Sequence, residues 1–539
     1  MQKIDVYDTT LRDGSQREGV SLSVADKLKI VEKLDEFGVN YIEGGWPGSN
    51  PKDIEFFKKA GALKFKKARL CAFGSTRRPK IKVAEDVNIQ AVVEAATSTV
   101  TIFGKSWDFH VYNALKTTLE ENCSMIKDTV AYLKSLDREV IYDAEHFFDG
   151  YKANPDYALS TLEAASAGGA DVIVLCDTNG GLMPWELPSI LTTVKERISV
   201  PLGIHAHNDT DMATVNSLTA VRHGITQVHG TINGYGERCG NANLCTIIPN
   251  LQLKMAFEVV DPENLQGLTK LSRFIAELVN IAPNDGQPYV GLNAFAHKGG
   301  IHIDAVSKKP ATYEHADPDL VGNKRRILVS ELAGKSSITL KTNHNNYHLD
   351  KNNPDTTSVL QRIKEMEHYG YQFEGAEGSF ELLVLKMMNV YQPLFTLEGF
   401  RVIIEKRENE QLHCEATVKV RVGEVQVHTA SGGNGPVNAL DNALRKALEG
   451  IYPTLKEFKL TDYKVRVIDG VDGTGAQVRV LIETRDDERT WGTVGVSPNI
   501  IEASWIALVD SLEYGLLCRK LPEFAEAKEV LEQFKKINY

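Results

Sequence analysis

Cysteine is scarce and scattered in this chain. Seven occur in 539 residues, at Cys71, Cys123, Cys176, Cys239, Cys245, Cys414 and Cys518. An odd number with no CxxC pair excludes a disulfide framework and a cysteine-built zinc module, and fits a reduced, cytoplasmic protein. No apolar run approaches the roughly 20 residues needed to span a bilayer. The start, "MQKIDVYDTTLRDGS", is charged within its first five residues and has no apolar signal core. No membrane partner is therefore expected. Basic residues are outnumbered, 61 against 72 acidic, for a net charge of −11. No long basic run stands out, so a nucleic-acid partner is not expected either. The glycine-rich GxGxxG that would follow the first strand of a dinucleotide-binding sheet is also missing.

What is present is a repeating pattern. A chain of this length calls for two or three domains. Its first 250 residues alternate short apolar runs with longer amphipathic stretches. The runs lie at 3–8, 39–45, 68–74, 98–104, 139–146, 170–177, 201–207 and 225–232. Between them lie segments such as "SVADKLKIVEKLDEFG" (23–38), with apolar residues at 24, 28, 31 and 34 and a glycine stop. Eight strands alternating with helices predict an α/β fold built on a closed (β/α)8 barrel, with an open doubly wound sheet as the alternative. In a barrel, active groups sit at the C-terminal ends of the strands. Those ends carry Arg12, Asp13 and Gln16, then Glu43, Asp143 and Glu145, then Asp177 and Thr178. The seventh and eighth add His205 and His207, then Glu237, Arg238 and Asn241.

"GIHAHND" (203–209) sharpens this reading. Residues two apart on a strand point the same way, so His205 and His207 project together. A lone His-x-His is more often a chance pair, and Arg12 beside Asp13 is more often a surface ion pair. Asp13 and Asn241 at the same rim change the balance. Two imidazole nitrogens with carboxylate and amide oxygens suit a divalent ion that keeps sites for substrate and water.

"YDTTLRDGSQ", "GIHAHND" and "NGYGERCGNANL" together resemble the acyl-CoA-condensing branch of the DRE-TIM metallolyases, the 2-isopropylmalate, homocitrate and citramalate synthases. The resemblance spans the whole chain. It implies Asp13, His205, His207 and Asn241 as ligands of Mg, Mn or Zn. It implies Arg12 as the cation that steadies the keto oxygen as it becomes an alkoxide, with Gln16 and Thr178 on the substrate and Glu145 as an acid in the site. "FAHKGGIHIDAV" (295–306) resembles the family's linker motif and offers His302, and the next segment offers Tyr313, both toward the acyl-CoA. His302, Glu145 or a relay between them would be the base. "YIEGGWPGSNPKD" (41–53) departs from the isopropylmalate pattern, which points to acetyl-CoA and pyruvate as substrates; 2-oxoisovalerate and 2-oxoglutarate are the alternatives. A metal-binding amino-acid sensor on the same fold is the non-enzymatic reading.

The implied domains are a catalytic barrel at 1–268, linker subdomains at 269–390 and a regulatory, dimerising α+β domain at 391–539. In the last, "FRVIIEKR", "CEATVKVRV" and "EVQVHTA" alternate as strands and lead through "SGGNGPVNAL" into a helix near Pro436. "YKVRVIDG", "QVRVLIE" and "TWGTVGV" repeat that order, with Pro498 in place of Pro436. Glycine-lined helix starts can hold a carboxylate, which makes Gly433, Gly435, Gly495 and Ser497 candidate effector contacts. A tight turn is an equally good explanation of those glycines. The family resemblance implies a homodimer with isoleucine as effector.

Overall fold

The computed structural model describes residues 2–328, 335, 338–339, 354–388, 391, 393–408, 411–468 and 475–519. It divides into two compact units. One is Met1–Phe295 with His315–Arg325; the other is Ala296–Glu314 with Arg326–Tyr539.

The first unit is a closed barrel of eight parallel strands in sequential order. They are β1 (Asp5–Asp8), β2 (Tyr41–Gly45), β3 (Arg69–Ser75), β4 (Thr99–Lys105), β5 (Glu139–Glu145), β6 (Val172–Asp177), β7 (Leu202–Ala206) and β8 (Gln227–Gly230). Each falls within a residue or two of an apolar run in the sequence. β8 closes on β1 with Tyr7 opposite His229. The helix α1 (Val24–Phe37) shows how the intervening segments are specified. Ser23 and Asp26 form a reciprocal capping box, and left-handed Gly38 ends the helix. Its Ile30, Val31, Leu34 and Phe37 enter the same continuous core as Ile4, Val6 and Ile42 of the strands. Inside the barrel a second layer gathers Tyr7, Tyr41, Cys71, Ile141, Val174 and Cys176.

In the second unit, the strands Thr396–Glu405, His413–Val422 and Val425–Gly433 form an antiparallel sheet, and the helix Pro436–Leu448 comes next. Strands Lys459–Val467, Val478–Arg485 and Thr490–Ser497 repeat the arrangement, leading into the helix Ile500–Cys518. The expected internal repeat is present, with one difference. Pro436 is the first residue of its helix, whereas Pro498 lies outside its own. Asn499 takes the cap there, its side chain accepting from the backbone N–H of Ile501 and Glu502. The expected linker section 269–390 includes the helices Pro354–His368 and Glu377–Met387. Most of the polar stretch 342–358, namely 342–353, lies outside the described residues. No described helix is long and apolar enough to cross a membrane.

Gly495 shows what the repeat's glycines do. A Cβ there would lie 2.0 Å from the Ala503 carbonyl oxygen of the next helix. Gly495→Ala is therefore expected to destabilise this unit by about 1–3 kcal/mol through overpacking, read as a lowered thermal transition.

Candidate active site

The C-terminal ends of the strands enclose a cavity of about 230 Å³. Arg12, Asp13, Gln16, Trp46, Phe73, Phe103, Asp143, Glu145, Thr178, His205, His207 and Arg238 line it. Period-two alternation sends His205 and His207 to the same side, their ring centres 5.3 Å apart. Asp13 comes from the turn after β1, and its Oδ2 lies 3.1 Å from His205 Nε2. Potential ligand atoms of Asp13, His205 and His207 all lie within 4.8 Å of one another, and all three residues are buried.

Asn241 reaches the same point because its loop is zipped onto the end of β7. Asn208 N–H donates to Gly240 O at 2.9 Å, Ala242 N–H donates to Ala206 O at 2.9 Å, and His207 bridges to Asn241. Its Nδ2 lies 3.2 Å from both Asp13 Oδ2 and His205 Nε2, while its Oδ1 is buried without a hydrogen-bond partner. That orphaned oxygen faces Gly236, where a Cβ would stand 2.0 Å from it, so only glycine fits there. A half-turn of the amide puts the oxygen where the nitrogen now sits, between the carboxylate and the imidazole. The four residues thus fit a divalent cation.

Charge is arranged around this point. Arg12 donates from Nε to Glu43 Oε2 and from Nη1 to Asp13 Oδ1, both at 2.7 Å, and its guanidinium lies 3.9 Å over the Phe73 ring. Burial opposes ionisation of Asp13, yet Arg12 and His205 hold its carboxyl well below the usual range. Burial, helped by the charge of His205, pushes His207 down to about 4, which leaves its imidazole neutral. Burial would also lower His205, but Asp13 outweighs it and raises that imidazole. Arg238 is held by Asp209 at 2.7 Å and places Nη2 3.1 Å from His207 Nδ1.

The remaining sequence candidates divide by unit. Glu145, ending β5, pairs with Lys105, ending β4. Thr178 Oγ1 accepts the His146 N–H at 2.9 Å, so its own hydroxyl proton is available to a ligand. Gln16 lines the cavity. His302 and Tyr313 belong to the second unit, where their rings stack at 4.1 Å. Also there, the helix starting at Pro436 has Gly435 as cap and no side-chain cap bond. Ser497, by contrast, donates to Glu502 Oε2 at 2.6 Å and accepts from Asn499 N–H.

The HMGL-like family matches residues 3–275. The homocitrate synthase post-HMGL domain-like family matches 289–370, and the LeuA allosteric (dimerisation) domain matches 374–516. An (R)-citramalate synthase of Aquifex aeolicus is 58% identical over 96% of this chain and 98% of its own. One from Geobacter sulfurreducens is 57% identical over the same shares. The chain belongs to the (R)-citramalate synthase family. A probable 2-isopropylmalate synthase of Methanopyrus kandleri, covering 94% of this chain and 97% of its own, is only 31% identical.

Sequence reasoning missed Lys105 and the aromatic wall of Trp46, Phe73 and Phe103. Phe73 and Phe103 stack at 5.3 Å, and Trp46 stands edge-on to both. Trp46 Nε1 donates to Asn88 Oδ1 at 2.6 Å, which fixes the indole. The signal was slight: single aromatics at three strand ends, with nothing in the sequence to show that they meet.

Proposed function

We propose that the barrel mouth condenses acetyl-CoA with pyruvate and hydrolyses the resulting thioester to (R)-citramalate and CoA. The observation that carries this reading is the convergence of Asp13, His205, His207 and Asn241 beside Arg12 in one small, aromatic-walled cavity. Those four residues would hold Mg, Mn or Zn, which when bound would polarise the keto group of the 2-oxo acid. Among the described residues, the Nη2 of Arg12 has no protein partner, and it would donate to the oxygen as negative charge develops there. The Thr178 hydroxyl would donate to the substrate carboxylate, with Gln16 beside it. Glu145, held by Lys105, would take the proton from the acetyl methyl group. Tyr313, stacked on His302, would keep that ring in place. The carbanion attacks the keto carbon, the alkoxide is protonated, and water then cleaves the thioester with CoA thiol leaving.

Trp46, Phe73 and Phe103 would wall the alkyl end of the 2-oxo acid. A panel of 2-oxo acids with released thiol as readout tests this. Pyruvate is expected to exceed 2-oxoisovalerate in kcat/KM by at least about tenfold, the discrimination that an added methylene brings in an apolar-walled pocket. Equal rates would overturn the choice of pyruvate.

The C-terminal unit is proposed to bind isoleucine, with the uncapped helix start at Gly433–Gly435 taking the carboxylate. At the second start Ser497 is already engaged by Glu502 and Asn499, which favours the first. Isoleucine is expected to inhibit in a way that a tenfold rise in pyruvate does not relieve. Full relief would place it in the barrel instead. Two copies of this unit would pair in a homodimer.

A further inference from the structure

Beneath the candidate ion site lie two buried polar residues that the condensation chemistry leaves unused, Gln227 and His229. Both come from β8 and, being two apart, face the barrel interior together. β8 pairs with β7 so that His229 stands opposite His205, and with β1 so that it stands opposite Tyr7. The His229 ring lies flat on Tyr7, centres 3.9 Å apart and planes 9° from parallel. Tyr7 is itself tied through its hydroxyl to Thr101 at 2.6 Å and Glu43 at 3.2 Å. The plane of His229 is thereby fixed. Its Nδ1 lies 3.4 Å from His205 Nδ1, and its Nε2 lies 2.9 Å from Gln227 Oε1.

With the Gln227 amide oxygen turned to His229, these contacts set the proton positions. An amide oxygen can only accept, so His229 carries hydrogen on Nε2 and its Nδ1 presents a lone pair. Two facing ring nitrogens need one donor, so His205 carries hydrogen on Nδ1. The Nε2 lone pair of His205 is then the one directed at Asp13 and Asn241. We propose that Gln227 and His229 are positioning residues that fix the tautomer of His205 and so hold it ready to bind a divalent cation. This rests on the metal reading of the site. Reversing the Gln227 amide would reverse every link, putting hydrogen on His205 Nε2 against Asp13 and closing the site to an ion. One buried amide oxygen therefore sets the state of a ligand two side chains away, as outer partners of metal-bound histidines do.

The test uses the full chain labelled with 15N-histidine, free of metal and then titrated with Mn2+. In the wild type, His229 is expected to show a protonated Nε2 and an unprotonated Nδ1. Gln227→Leu removes the acceptor and is expected to weaken Mn2+ binding roughly 10–100-fold, with His229 losing its single tautomer. Gln227→Glu restores an acceptor and is expected to recover binding to within several-fold. A wild-type His229 protonated at Nδ1 would overturn the proposal, and so would Gln227→Leu binding Mn2+ within twofold of wild type. If Gln227→Leu does not fold, the wild-type spectrum decides alone. If the wild type binds no Mn2+, the metal reading fails, while the His229 tautomer still decides whether the relay exists.

Discussion

His207→Ala is expected to remove the bound divalent ion and to lower kcat/KM by about a thousandfold or more, with the fold intact. The magnitude reflects losing the several kcal/mol of charge stabilisation that a chelated cation gives a reacting carbonyl. The fold should survive because His207 sits at the end of β7, outside the hydrophobic layers, and its ring meets Arg238 and His205 rather than core side chains. Metal content per chain, activity and the thermal transition separate these effects. A pH series adds a check on the parent enzyme. Asp13 raises the imidazole of His205, so below that raised value a proton competes with the ion for Nε2. Affinity should fall about tenfold per pH unit on the acid side and level off on the alkaline side. His207, pushed down to about 4 by burial, stays neutral throughout the series and adds no second step. Full activity after exhaustive chelation would sink the metal reading outright.

The barrel was legible because parallel strands covered on both faces read as uninterrupted apolar runs, and eight such runs in register with helices admit few folds. The cluster of Asp13, His205, His207 and Asn241 was legible for a different reason. His205 and His207 are two apart on a strand, and Asp13 and Asn241 lie in the loops that follow β1 and β8, so local spacing and the strand-end rule pointed to one rim. The hidden features depend on register between strands far apart in sequence. Lys105 meets Glu145 only because β4 and β5 pair them directly. Trp46 reaches Phe73 and Phe103 past an irregularity in the β2–β3 ladder between Glu43 and Gly45, which re-aims the residues beyond it. The link from His205 to His229 and Gln227 is likewise a matter of register, since nothing in "ITQVHGTI" marks its histidine as a neighbour of the one at 205.

In the second unit, alternation revealed the strands and the recurrence of turn and helix revealed the repeat. Local competition settled the detail. Asn499 caps better than Ser497 could from two residues further back, so the second helix starts later than the Pro436 parallel suggests. The glycines at the two helix starts show what close packing requires there. Gly433 would bring a Cβ within 2.4 Å of Ala439 N, and Gly495 within 2.0 Å of Ala503 O. Both are needed for close approach of a helix to its strand, whatever binds nearby.

Arg12→Lys is expected to lower kcat by about 10²–10³ with a much smaller change in the KM for pyruvate. A donor aimed at developing oxyanion charge contributes most in the transition state, and removing one such donor costs about that much. Lysine keeps the charge but loses the planar fork. In the parent enzyme that fork engages Glu43 through Nε and Asp13 through Nη1 while its face covers Phe73. One ammonium cannot reproduce this geometry. Glu43 complicates the reading, because it is fully buried and burial already pushes its carboxyl up. Without the guanidinium, its Tyr7 contact at 3.2 Å is the side-chain hydrogen bond that remains, and a structural disturbance there could imitate a chemical defect. Adding Glu43→Gln to Arg12→Lys removes that buried charge while keeping the shape. If the loss is chemical, the double variant stays about as slow as the single one, with KM still near normal. If Glu43→Gln restores turnover, or if Arg12→Lys alone is near normal, Arg12 serves to hold the rim together and the alkoxide is stabilised elsewhere.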